Sequence, residues 1–237
     1  MQIVVDRILT NYEEFGHGDN VLIILHGWGR SLNEWVPVAQ NLSTRYRVIL
    51  LDLPGFGGTQ LPERPYDTYE YADFVENFLK KLDINKYSLI GHSFGGRLGI
   101  ILASKIKGIN KLVLVDSAGI ENKSLYVRLA NSLLNPIKKF IPEKIKMKLG
   151  SADYKSSGKL KETFVKVVNQ DLTFLFNKIK TPTIITWGDK DSVLDVSQTK
   201  VFKKQIPNST VRIVWGANHS PHIEKPKVFL DILNEYL

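Results

Sequence analysis

Six short runs of Val, Ile and Leu, each separated from the next by loop and helix-prone sequence, constrain this 237-residue chain more than any other feature. They are Val21–Leu25, Tyr46–Leu51, Tyr87–Ile90, Lys111–Val115, Thr183–Trp187 and Thr210–Trp215. Most are apolar throughout rather than alternating, the pattern of parallel strands covered on both faces. Between them lie amphipathic stretches. In Tyr69–Leu82, for instance, Tyr71, Phe74, Val75, Phe78, Leu79 and Leu82 recur at helical spacing. Ile3–Val5 and Ile8–Tyr12 suit an antiparallel ribbon at a sheet edge. Repeated strand–helix units predict an α/β fold with a mostly parallel central sheet and helices on both faces.

The alternation stops after Asp116. From Ile120 to Lys178 no buried strand is evident, only helix-prone sequence broken by Pro136 and Pro142, and strand character resumes at Thr181. Residues 1–118 and 181–237 are therefore expected to form one core, with residues 119–180 inserted as a helical cap. An insertion at the carboxyl ends of strands sits over the crevice where such sheets bind ligands. Its apolar residues Leu125, Val127, Leu129, Leu133, Leu134, Ile137, Phe140 and Ile141 would either pack helix on helix or line an acyl pocket. The charge is uneven too. This segment holds 13 Lys/Arg against 5 Asp/Glu and so carries the whole net charge of +8. A solvated lysine-rich face accounts for it; attraction of an anionic substrate or a membrane surface is the sharper reading.

Several classes drop out on composition. Without cysteine there is no disulfide, thiolate nucleophile or sulfur-ligated zinc. The first residues lack the basic and apolar regions of a signal peptide, and no apolar run is long enough to cross a bilayer, so a soluble cytoplasmic protein is expected. Nothing resembles a nucleic-acid-binding signature, a phosphate loop, a nucleotide fingerprint or a metal-ligand cluster, so neither nucleic acid, a metal nor a cofactor is expected.

The chemistry gathers around Gly91-His92-Ser93-Phe94-Gly95-Gly96, between the Tyr87–Ile90 strand and a helix expected over Arg97–Lys107. A serine on a tight strand-to-helix turn needs small neighbours two residues either side, and the helix N-terminus favours negative charge nearby. A serine hydroxyl also needs a base. Of five histidines, His17 lies in an N-terminal turn, while His26 and His92 sit inside glycine-rich turns and are expected to shape them. His219 follows the last strand and is the expected base, with His222 its competitor. The acid should follow the preceding strand. Trp187-Gly188-Asp189-Lys190-Asp191 offers two, with Asp191 deeper in the loop; Asp189 suits a surface turn, and Asp116 is a geometrically possible substitute. Oxyanion donors are expected from the backbone N–H groups of Phe94 and Trp28, the latter in Leu25-His26-Gly27-Trp28-Gly29. The Trp28 side chain would line the pocket or pack.

These motifs, with Asp52-Leu53-Pro54-Gly55-Phe56-Gly57 and His219-Ser220-Pro221-His222-Ile223-Glu224-Lys225-Pro226, resemble the α/β-hydrolase fold family. The likeness is greatest to its esterase and carbon–carbon-bond hydrolase branch, and spans nearly the whole chain outside the insertion. It implies a Ser93–His219–Asp191 triad, no cofactor and a small-molecule acyl substrate. Asn218 and Thr59 stand where the family usually has glycine and serine. Hydrolysis of small carboxylic esters through an acyl-enzyme is the expected activity. Cleavage of dienone-type acids by the same triad is the alternative, disfavoured modestly by His92 where such enzymes commonly carry asparagine. A non-catalytic receptor on the same scaffold is the third reading.

Overall fold

The computed structural model describes residues 1–120 and 157–237. Its eight strands run β1 (Gln2–Val5), β2 (Ile8–Phe15), β3 (Val21–Leu25), β4 (Arg47–Leu51), β5 (Tyr87–His92), β6 (Ile109–Val115), β7 (Thr183–Gly188) and β8 (Ser209–Val214). Helices among the described residues are α1 (Val36–Leu42), α2 (Thr68–Lys81), α3 (Phe94–Lys105), α4 (Lys161–Val168), α5 (Thr173–Phe176), α6 (Gln198–Gln205), α7 (Pro221–Glu224) and α8 (Pro226–Tyr236). The apolar insertion residues Leu125 to Ile141 named above, with Pro136 and Pro142, lie outside the described residues.

One sheet holds all the strands, in the order β1-β2-β4-β3-β5-β6-β7-β8. From β4 to β8 every pairing is parallel; β1 and β2 are antiparallel to their neighbours, as the N-terminal ribbon predicts. That ribbon turns on Asp6 and Arg7, both at positive φ (48° and 65°), the geometry that matches strand twist in a two-residue hairpin.

Residue parity divides the core, because successive strand side chains point to opposite faces. Ile23, Leu25, Leu89, Leu112 and Ile185 face α2, α3 and α6, whereas Leu22, Ile24, Ile90, Val113 and Ile184 face α1 and α8. Both faces are covered, which is why the central runs are apolar throughout. β8 is the exception: it lies at the sheet edge and its residues alternate in exposure. α2 begins as its sequence asks, with a capping box in which the Asp67 side chain accepts from Glu70 N and Glu70 accepts from Asp67 N.

From β3 the chain crosses outward to β4 and later returns to β5 on the other side of β3. The carboxyl ends of β3 and β5 therefore flank a topological switch point, where ligands bind in such sheets. Ser157 to Lys180, in the segment between β6 and β7, packs at this end of the sheet, where Ser157 and Phe164 meet Trp28. Leu160, Phe164, Val167, Leu172 and Phe176 are buried there. Buried Arg97 of α3 holds the segment by donating to the carbonyls of Gln170 (2.6 Å) and Val168 (3.5 Å). No helix among the described residues is long and apolar enough to cross a membrane.

Candidate active site

β5 ends in the turn that carries Ser93. Its backbone sits at φ 49°, ψ −106°, a conformation L-residues rarely adopt, and α3 begins at the very next residue. The helix starts three residues before the expected Arg97 because Ser93 itself is its N-cap. The turn is over-determined: Ser93 N–H donates to Val115 O (2.9 Å) and Gly95 N–H to His26 O (3.1 Å). A Cβ on Gly91 would drive into the Gly95 carbonyl, and one on Gly95 into the carbonyl of Leu25. Both glycines are required by close approach of backbone to backbone.

Three loops converge on the serine hydroxyl. His219, after β8, places Nε2 3.0 Å from Ser93 Oγ and Nδ1 2.8 Å from Asp191 Oδ2. Asp191, after β7, also accepts from the N–H groups of Val193 (2.8 Å) and Leu194 (2.9 Å). Its side chain is wholly buried, which alone would raise its pKa. The hydrogen bond and charge of His219, with the Leu194 and Val193 amides, outweigh burial and hold the carboxyl below its ordinary range. Asp189 instead accepts from Gly216 N–H, a loop-bracing role.

Asp116, at the end of β6, completes a cluster with Asp191 and His219, whose ligand-type atoms lie within 4.8 Å of one another. Its Oδ1 accepts from Gly188 N–H at 3.0 Å. Burial, reinforced by Asp191, pushes its carboxyl up to about 9. Asp116 is therefore neutral at pH 7 and Asp191 is the charged member.

The β3 loop packs on the serine turn. A Cβ on Gly27 would lie 3.5 Å from the Ser93 Cβ. The Phe94 N–H is at the first turn of α3, where amides have no intrahelical acceptor. The Trp28 ring both lines the site and packs. It meets Phe56, Phe94 and Phe164 edge-on at 5.0–5.2 Å, and its Nε1 donates to Ser157 Oγ at 3.1 Å. Among the described residues a cavity of about 250 Å³ opens over Ser93, walled by Gly27, Trp28, Arg30, Asn218, His219 and Glu224.

The remaining histidines support loops. His17 is exposed. Buried His26 bridges Gly27 O (2.7 Å) and Leu53 N–H (3.0 Å), so it pins the two glycine-rich loops together. His92 Nε2 lies 2.7 Å from the His219 carbonyl oxygen and steadies that loop from behind. His222 stacks on Trp35 at 3.9 Å, with planes 6° apart. The departures at Asn218 and Thr59 have local reasons. Asn218 Oδ1 accepts from Ser192 N–H (2.8 Å) and Oγ (3.1 Å), tying the Asp191 loop to the His219 loop. Thr59 Oγ1 donates to Asp52 O (2.7 Å) and accepts from Asn11 N–H (2.9 Å). Sequence reading missed Glu224, whose carboxylate accepts from Asn218 N–H (2.7 Å) and Ser220 N–H (3.3 Å) and so clamps the turn around His219. The acidic position of the His-x-Pro-x-x-Glu-x-Pro pattern was its available signal. A second group of ligand-type side chains, Glu34, His92 and His222, lies behind this turn. No local spacing announces it, because its members come from three loops.

Comparison with known proteins agrees with this architecture. The family model described as alpha/beta hydrolase fold matches residues 20–135. The pimeloyl-[acyl-carrier protein] methyl ester esterase of Legionella pneumophila (strain Paris) is 26% identical, over 93% of this chain and 97% of its own length. Monoacylglycerol lipase ABHD6 of Mus musculus is 25% identical over 94% of this chain and 76% of its own. Among solved structures, a bacterial membrane phospholipase A superposes with a TM-score of 0.83 at 27% identity, over 99% of this chain and 84% of that one. In the order of its strands and in these likenesses, the chain has the α/β-hydrolase fold.

Proposed function

We propose that the protein is a serine esterase that cleaves small carboxylic esters through an acyl-enzyme, with Ser93 as nucleophile, His219 as base and Asp191 as the acid that orients it. The observation that carries this reading is the continuous hydrogen-bonded line Asp191 Oδ2–His219 Nδ1 (2.8 Å), His219 Nε2–Ser93 Oγ (3.0 Å). Ionised Asp191 accepts a hydrogen bond from His219 Nδ1–H, which leaves the Nε2 lone pair facing the hydroxyl. Ser93 Oγ attacks the acyl carbon as its proton passes to Nε2. The imidazolium, steadied by Asp191, returns that proton to the departing alkoxide. A water molecule then repeats the sequence and frees the acid. The Phe94 and Trp28 amides are the proposed donors to the oxyanion, each worth on the order of 3 kcal/mol in such sites. Residues 119–180 are the proposed cap. Its described end supports this by packing Phe164 and Ser157 on Trp28 at the site wall. Esterase and lipase relatives support ester rather than carbon–carbon cleavage.

Replacing Ser93 with alanine tests the assignment. Turnover of p-nitrophenyl acetate and butyrate should fall by about 10⁴-fold or more, with the fold intact by circular dichroism. A variant that keeps wild-type turnover refutes the nucleophile. A substrate panel that includes a dienone acid separates the readings, since the esterase turns over the esters and leaves the dienone acid intact.

A further inference from the structure

Three side chains that the proposed reaction does not use converge behind the His219 loop. Glu34 comes from the 3₁₀ turn Leu32–Trp35, His92 from the serine turn and His222 from α7. Glu34 Oε1 lies 3.8 Å from His92 Nδ1 and 3.7 Å from His222 Nε2. These separations are too long for direct hydrogen bonds. Among the described residues none of the three atoms has a hydrogen-bond partner, and the two histidines are only 2% and 3% exposed. Burying three such atoms without a common partner would be costly.

Their protonation narrows the identity of that partner. His92 Nε2–H donates to the His219 carbonyl at 2.7 Å, so its Nδ1 presents a bare lone pair. Two neutral imidazoles and a carboxylate form the donor set of a divalent transition-metal ion, which binds only deprotonated ligands. With His222 Nε2 unprotonated, three lone pairs point inward, and one water has only two protons to offer them. A cation about 2.0–2.2 Å from each donor places tetrahedral donors about 3.4 Å apart; the two Glu34 separations are within a few tenths of an ångström of that, and all three donors lie within 4.8 Å of one another. Two further features suit a metal, while the second ring nitrogen of His222, Nδ1, has no hydrogen-bond partner among the described residues. His92 makes the carbonyl hydrogen bond typical of a metal-bound imidazole, and Trp35 stacked at 3.9 Å fixes the His222 ring.

We propose that Glu34 Oε1, His92 Nδ1 and His222 Nε2 form a binding site for a zinc-type divalent cation. The ion ties together the loop after β3, the serine turn and the turn that bears His219. This site is independent of the ester assignment, since none of its donor atoms belongs to the proposed triad.

Chelator-stripped protein titrated with zinc sulfate, with bound metal counted by elemental mass spectrometry after dialysis, should take up one ion per chain, and its melting temperature should rise with zinc concentration. Glu34→Gln and His222→Gln should each weaken binding by about 100-fold or more, since even outer-shell changes cost 10–100-fold at metal sites. Asp191→Asn should leave binding unchanged, which separates this site from the Asp116–Asp191–His219 group. Glu34→Gln, at a partly exposed side chain, carries the test should His222→Gln fail to fold. The proposal is overturned by no stoichiometric uptake, by uptake that both variants retain, or by loss of binding in Asp191→Asn alone. A zinc-soaked crystal with only water among the three residues would overturn it equally.

Discussion

At the end of β6 the Asp116 backbone is forced to φ 41°, and its carboxyl is presented to that of Asp191. Two buried carboxyls this close cannot both ionise. Asp191 is held charged by His219 and two amides, so Asp116 keeps its proton. The consequence for stability has a definite sign. With a folded pKa raised from 3.8 to about 9, Asp116 favours the folded state fully below pH 3.8, and that contribution is lost as pH rises towards 9. Asp116→Asn, which keeps a neutral group of the same shape, should flatten the decline of unfolding free energy between pH 5 and pH 8.5, as measured by urea denaturation. Identical slopes in the two proteins would contradict this charge assignment. Sequence reading weighed Asp116 only as a substitute acid or a structural strand end. Its proton depends on two loops meeting, which no local pattern records.

Among the elements, α3 has two duties. Its N-terminus forms the serine turn, and one turn further on Arg97 reaches out to the segment between β6 and β7. Arg97 is 5% exposed, and burial lowers its pKa to about 10, so it stays charged at neutral pH. Among the described residues it donates to the carbonyls of Gln170 and Val168, while Thr68 N–H donates to the Gln170 side chain at 3.1 Å. Arg97→Ala should therefore cost about 2–4 kcal/mol of unfolding free energy, from lost charge-assisted hydrogen bonds and a cavity. It should also speed limited proteolysis between Ser157 and Phe176. Unchanged stability and cleavage would show that α3 does not anchor this segment. Elements of this kind were legible from sequence to different depths. The β3 to β7 runs are apolar because both sheet faces are covered, and they appear within two residues of their expected places, β5 running two residues further to His92 and β6 starting two residues earlier at Ile109. The start of α3 was misjudged because the strained Ser93 is its cap, where Ser93-Phe94-Gly95-Gly96 reads as a turn.

At the scale of the whole molecule, the carboxyl edge of one sheet gathers what the chain scatters. Ser93, Asp191 and His219 stand 28 to 126 residues apart, yet form one hydrogen-bonded line. Motif order made these residues readable from sequence, because each sits at a strand end where the topology must place it. The Glu34–His92–His222 group, the Asn218–Ser192 tie and the Trp28–Ser157 bond were not readable, since they depend on how loops lean on one another after the sheet has formed. The central claim is chemical: the Ser93 hydroxyl takes the acyl group. Rapid mixing with p-nitrophenyl butyrate, an acid quench and peptide mass spectrometry test it directly. The account predicts a butyryl mass increment on the peptide that contains Ser93, absent from Ser93→Ala and sharply reduced in His219→Ala. Sustained ester turnover with Ser93 unmodified at every quench time, or with the acyl group on another residue, would contradict it.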